Sequence, residues 1–136
     1  MATIRKDIVT AASPDHVWDA LRDVGAVHER VVPGFVLETT LEDGARVVTF
    51  ANGLVAREII VTLDDDTRRL AYAATGGRLT HHNASVQVHA DPDGSRIVWT
   101  ADLLPDEIAS AIEAMMDDGV QAMKQTFDRA PTATRS

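Results

Sequence analysis

At 136 residues, 45% apolar and 25% charged, the chain has the size and composition of one globular domain, residues 1–136, able to bury roughly two thirds of its unfolded surface. A net charge of −8 opposes binding to nucleic acid, whose affinity comes mainly from Lys and Arg, and no apolar run approaches the roughly 20 residues of a membrane helix. The absence of cysteine removes disulfides, thiolate nucleophiles and cysteine-based zinc or iron–sulfur sites together.

The first ten residues alternate, with Ile4, Lys6 and Ile8 against Arg5, Asp7 and Val9, so residues 3–11 read as a strand rather than as the apolar core of a signal peptide. We expect a cytoplasmic protein on that basis. Ser13 followed by Pro14 is a helix start: a hydroxyl cap, then proline where its missing N–H costs nothing. Val17, Trp18 and Leu21 share one face of that helix, Gly25 is placed to end it, and residues 26–31 form a short second helix before Pro33-Gly34 turns the chain.

From Phe35 to Asp102 the period changes to two. Turn chemistry at Glu42-Asp43-Gly44, Asn52-Gly53, Asp64-Asp65-Asp66, Gly76-Gly77 and Asp91-Pro92-Asp93-Gly94 divides this stretch into about six strands. Connections this short favour antiparallel neighbours. After Leu104, Pro105 with Asp106 and Glu107 opens a long helix running to about Arg129. Its apolar stripe is Ile108, Ala111, Ile112, Met115, Gly119, Met123 and Phe127, and the small polar tail 131–136 is expected to fray.

The order of elements predicts an α+β fold with a hollow. Seven strands at about 4.8 Å span about 30 Å, whereas a helix is about 10–12 Å across, so the sheet must curl around the final helix and leave space beneath it. With aromatic residues at 4%, few large groups exist to fill that space.

Strand, then Ser13-Pro14-Asp15-His16-Val17-Trp18, Asp23-Val24-Gly25, Pro33-Gly34, a meander ending in Ile97-Val98-Trp99-Thr100-Ala101, and a long Met-containing helix together resemble the START-like, Bet v 1-like (SRPBCC) helix-grip proteins. Within them the chain is most similar to the bacterial polyketide cyclase/dehydrase and lipid-transport group. The resemblance covers residues 3–129. It implies a helix-grip fold around a cavity for a hydrophobic molecule, on a scaffold that hosts carriers, receptors and cyclases alike.

No metal site is expected. His81 and His82 are adjacent on a strand and point to opposite faces, while His89 shares a face with His81 about 26 Å away. Gly-x-Ser-x-Gly, Gly-x-Gly-x-x-Gly and P-loop patterns are missing, and we expect no cofactor. The informative residues are polar ones set in apolar strands. On residues 79–90 alternation turns His82 inward, where it either meets a backbone partner near the rim or contacts a ligand. Arg57 and Glu58 lie in the run Leu54–Leu63, both faces of which are nearly equally hydrophobic, so one charge faces the core and period cannot say which. Tyr72 and Trp99 share strand faces with apolar residues, and Met115, Met116 and Met123 are flexible thioethers of the helix; all suit core packing, ligand contact, or both, with Met115 and Met123 the methionines expected to reach a ligand.

Three functions remain open. The first is a binder or carrier for a small hydrophobic molecule, a lipid, polyketide or aromatic metabolite, contacted by Trp99, Tyr72, His82, Glu58, Met115, Met123 and Phe50. The second is a cofactor-independent cyclase, aromatase or dehydratase moving protons with Glu58, His82, Tyr72 and Arg57, which would have to converge. The third is a non-enzymatic interaction module, which exposed apolar residues near Val31, Val32 and Phe35 or a mass above monomer would favour; the protein itself is expected to be a monomer or homodimer.

Overall fold

The computed structural model describes residues 1–134, with side chains through Arg129, so the fraying expected for residues 131–136 falls outside the described side chains. Seven strands form one antiparallel sheet: β1 (Ala2–Thr10), β2 (Val36–Glu42), β3 (Ala45–Phe50), β4 (Val55–Asp64), β5 (Arg69–Thr75), β6 (His81–Asp91) and β7 (Gly94–Leu104). Their order is β1-β7-β6-β5-β4-β3-β2, a meander whose last strand returns beside the first. Helices α1 (Pro14–Arg22) and α2 (Val27–Arg30) follow β1, and α3 (Ala109–Thr134) closes the chain. This is the curved-sheet, long-helix α+β architecture that the residue pattern predicts.

Local chemistry explains each boundary. The Ser13 side chain accepts a hydrogen bond from the His16 N–H at 3.2 Å, with Pro14 opening the first turn of α1. Contrary to expectation α1 ends at Arg22, capped by Asp23, and a 3-10 turn spans Val24–Ala26. Gly25 within that turn serves packing instead: a Cβ there would sit 2.9 Å from Leu41 Cδ1, so the missing side chain lets the turn lie against β2. At the β6–β7 hairpin Gly94 has φ +140°, and a Cβ would run into the Thr10 carbonyl, so the turn accepts only glycine. Register shifts mark bulges between Val36 and Glu38 on β2 and between Ile60 and Thr62 on β4.

Alternation divides the sheet into an inner and an outer face. Leu70, Tyr72, Ala74, Ala84, Val86, Val88, Ile97 and Ala101 are buried on the inner face, and Trp99 stands among them half-buried. The helix cover is shared more widely than the strand-width argument supposes. Val17, Trp18 and Leu21 of α1, Val27 of α2, and Val31 and Val32 after it are also buried in the core. Trp18 Nε1 donates to Asp65 Oδ1 at 2.9 Å and Arg22 Nε to the same oxygen at 2.8 Å, tying α1 to the β4–β5 turn.

Helix α3 lies along β1. Lys6 reaches Glu113 at 2.9 Å and Asp117 at 2.8 Å, Lys124 Nζ donates to the Val9 carbonyl at 2.8 Å, and Thr10 Oγ1 donates to Asp128 Oδ1 at 2.7 Å. The buried stripe of this segment runs through Ile108, Met116, Gly119, Met123 and Phe127, with Ile112 and Met115 half-buried beside it and Ala111 exposed. Met116 thus replaces Met115 as the deeper thioether. A Cβ on Gly119 would lie 3.0 Å from the Trp99 ring and 3.2 Å from the Phe35 ring, so the bare helix backbone rests on these two aromatics.

Candidate functional site: a cavity between sheet and helix

The expected hollow is present. A cavity of about 360 Å³ lies beneath α3, equal to roughly twelve water molecules at their liquid volume. Its helical wall is Ile108, Ile112, Met115, Met116 and Met123; its sheet wall includes Val48, Phe50, Leu70, Val86 and Trp99; Val31, Val32 and Phe35 close one side. The cavity reaches the surface where Leu54, Val55, Gly77, Arg78 and Ala111, all exposed, form part of its lining. Phe35 and Phe50 meet edge to face, ring centres 5.2 Å apart.

Away from the mouth, where the exposed Arg78 stands, four polar side chains line this mostly apolar space: Arg46, Glu58, Tyr72 and His82. Strand β4 turns Glu58 inward and Arg57 outward, which settles the ambiguity of the run Leu54–Leu63. Arg57 is therefore withdrawn as a site residue: its Nε donates to Glu42 Oε1 at 2.8 Å on the outer face, with nearly half of its side chain exposed. The reason is the pleat, since neighbours on a strand face opposite ways.

Glu58 is not bare. Arg46, directly across on β3, donates from Nε to Glu58 Oε1 at 2.7 Å, both side chains being buried. Arg46 also donates from Nη1 to the Val24 carbonyl at 3.2 Å and lies over the Tyr72 ring, 5.4 Å from its centre. A buried ion pair of this kind is held by its hydrogen bonds, because Coulomb attraction alone does not offset the cost of desolvating both charges.

Tyr72 Oη accepts a hydrogen bond from Trp99 Nε1 at 3.1 Å across β6. Burial pushes the phenol above its ordinary 10.0, the Glu58 charge adding and Arg46 opposing, so Tyr72 keeps its proton. That proton has no acceptor among the described residues. His82 stacks beside Tyr72, ring centres 6.4 Å apart at 30°. Burial lowers the imidazole below 6.5, countered only in part by the Glu58 charge and by the ring's own backbone carbonyl. That carbonyl does not satisfy Nδ1, which is closed off from water with no hydrogen-bond partner. His82 is thus inward, as alternation predicts, but without the backbone partner that a structural histidine would have.

Trp99, Tyr72, His82, Glu58, Met115, Met123 and Phe50 all line the one cavity. Sequence reasoning missed Arg46 and ranked Met116 behind Met115 and Met123. The hairpin turn at Asn52-Gly53 contained a signal for Arg46, because pairing strands about that turn sets residue 46 opposite residue 58. Val31 and Val32 are buried and Phe35 is half-buried against the cavity, so these three give an interaction module no support, while Leu37 beside them on β2 is exposed. His81 is exposed on the opposite face from His82, and among the described residues no three His, Asp or Glu side chains group closely enough to hold a metal ion. No helix among the described residues is long and apolar enough to cross a membrane.

Known proteins place this geometry in a wider group. The protein XoxI from Bacillus cereus is 18% identical, with a TM-score of 0.84 over 96% of this chain and 99% of its own. Ginseng major latex-like protein 151 from Panax ginseng is 12% identical, with a TM-score of 0.75 over 93% and 97% of the two chains. A point mutant of norcoclaurine synthase from Thalictrum flavum, in complex with a transition-state analogue, is 17% identical with a TM-score of 0.67 over 91% and 92%. At these identities the likeness establishes the fold alone. No curated protein sequence matches the chain. The family model described as polyketide cyclase / dehydrase and lipid transport matches residues 1–128, nearly the whole chain, and the protein belongs to that family of helix-grip proteins.

Proposed function

We propose that the protein binds and carries a small hydrophobic molecule in the cavity beneath α3. The observation that carries this reading is the hollow itself: about 360 Å³ with almost wholly apolar walls, within the range of small-molecule sites, where close-packed interiors leave few voids larger than a water. The three methionines on its helical wall add adaptability, since unbranched thioethers repack around differing shapes. Membership in a family that includes lipid-transport proteins points the same way.

Native mass spectrometry of freshly purified protein, with a thermal-shift screen against lipid and metabolite extracts, tests the proposal. A bound ligand at 100 times its dissociation constant stabilises the fold by about 2.7 kcal/mol. Neither a co-purifying mass nor any compound that raises Tm would end it.

One observation favours a second, catalytic reading. His82 is a neutral imidazole beside the Tyr72 ring, and the two side chains could accept and donate a proton to a polyketone held in the cavity. Against it, Arg57 is outside and the Glu58 carboxylate is committed to Arg46. Turnover of a polyketone that is lost in a folded His82→Ala variant would move the assignment from carrier to cyclase.

A further inference from the structure

We propose that the cavity selects an apolar molecule carrying a neutral oxygen, such as an alcohol, ketone or phenol, over a carboxylate of the same length. The proposal rests on the hydrophobic-binding reading above and specifies the head group that such a ligand presents.

The first argument is charge. The one guanidinium deep in the cavity wall is already matched: Arg46 gives Nε to Glu58 and Nη1 to the Val24 carbonyl, and its face covers the Tyr72 ring. A ligand carboxylate drawn to it would be set close to the buried Glu58 carboxylate. His82, the other basic group there, is held neutral by its burial and supplies no compensating cation. A carboxylate entering this end would therefore lose its hydration without a free counter-charge, and an unpaired buried charge is the most costly group to desolvate.

The second argument is unused hydrogen-bonding capacity. Tyr72 accepts from Trp99 but donates to no described residue, and His82 makes no hydrogen bond to another described residue. Both side chains line the cavity. A ketone oxygen can take the phenol proton; a hydroxyl can take that proton and also donate its own to His82 Nε2, with the imidazole proton then on the enclosed Nδ1. A pure hydrocarbon that displaced water from this end would leave both groups unsatisfied, which is penalised. The expected order of affinity is alcohol and ketone first, then hydrocarbon and carboxylate, since a carboxylate left at the mouth beside the exposed Arg78 leaves both inner groups unpaired as a hydrocarbon does. Size agrees, because a chain of about ten heavy atoms fits a space equal to about twelve waters.

The test is isothermal titration of the full chain at neutral pH with decanol, decanone, decane and decanoate. Trp99 fluorescence serves as a second readout, since that indole lines the cavity. We expect decanol and decanone to bind about tenfold more tightly than decanoate, and Tyr72→Phe to bring them to within about twofold of decane while leaving decane unchanged. Decanoate binding as tightly as decanol would overturn the head-group proposal and leave hydrophobic binding standing. Failure of all four probes to bind would instead overturn the carrier reading on which it rests. The comparison on unmodified protein stands by itself if Tyr72→Phe does not fold, and His82→Phe then reports on the same polar end by weakening decanol more than decane.

Discussion

The two ends of α3 rest on different interiors. Toward the C-terminus, Phe127 is 1% exposed, His16 of α1 meets its ring edge-on at 6.4 Å, and Lys124 and Asp128 fasten the helix to β1. Toward the N-terminus, Ile112 and Met115 are half-buried over the cavity. One helix is too narrow to cover a curled seven-stranded sheet, and α1 completes the cover at one end only. The packed end holds the helix; the other end stands over the cavity.

Substitutions that treat the two ends alike would break this comparison. The largest expected effect lies in the cavity wall: Glu58→Ala leaves Arg46 buried without its carboxylate and should cost about 3–5 kcal/mol in urea unfolding, whereas Arg46→Met with Glu58→Leu should recover most of the loss. A single substitution no worse than the double would refute the account of the pair. At the packed end, Phe127→Ala should cost about 3–5 kcal/mol, because a large side chain is removed from a site that cannot collapse. Met115→Ala faces existing space, creates no new void, and should cost only about 1 kcal/mol. Equal losses for these two would mean that the hollow end is as tightly packed as the other.

Acid sharpens the contrast by a smaller amount. His82 has a folded-state pKa below its unfolded value of 6.5, so above that value both states are neutral and nothing is lost. As pH falls below 6.5 the unfolded chain takes up a proton that the folded one resists, and stability declines. Unfolding midpoints measured from about pH 7.5 down to about 5.5 should show this fall, and His82→Phe should flatten it. Arg57→Ala should have the smallest effect, below about 1 kcal/mol, since its pair with Glu42 is solvent-exposed. A larger loss would contradict its outward position.

Elements with strong local punctuation were readable from the residues. Ser13-Pro14, the glycine-bearing turns and the alternation on β6 give a helix start, the hairpins and an inward His82. Strand β4 resisted because Val55, Ile59 and Val61 expose apolar side chains, which hides the period-two signal, and a bulge after Ile60 shifts the register. Arg46 escaped notice because only its cross-strand partner gives it meaning, and register is a tertiary property. Met115 and Met116 are adjacent, so the helical period alone could not rank them; the close approach of Gly119 to Trp99 decides how α3 is rotated.

The bulge near the start of β2 bears on how copies of the molecule meet. Strand β2 is the last in the sheet, so one side of its backbone has no neighbouring strand among those described. Such rims are templates for intermolecular pairing and fibre growth. Here the Val36 amide is already given to the Val32 carbonyl, the register shift between Val36 and Glu38 interrupts the repeat of backbone groups, and Glu38 adds a negative charge, so a second chain finds no regular ladder to extend.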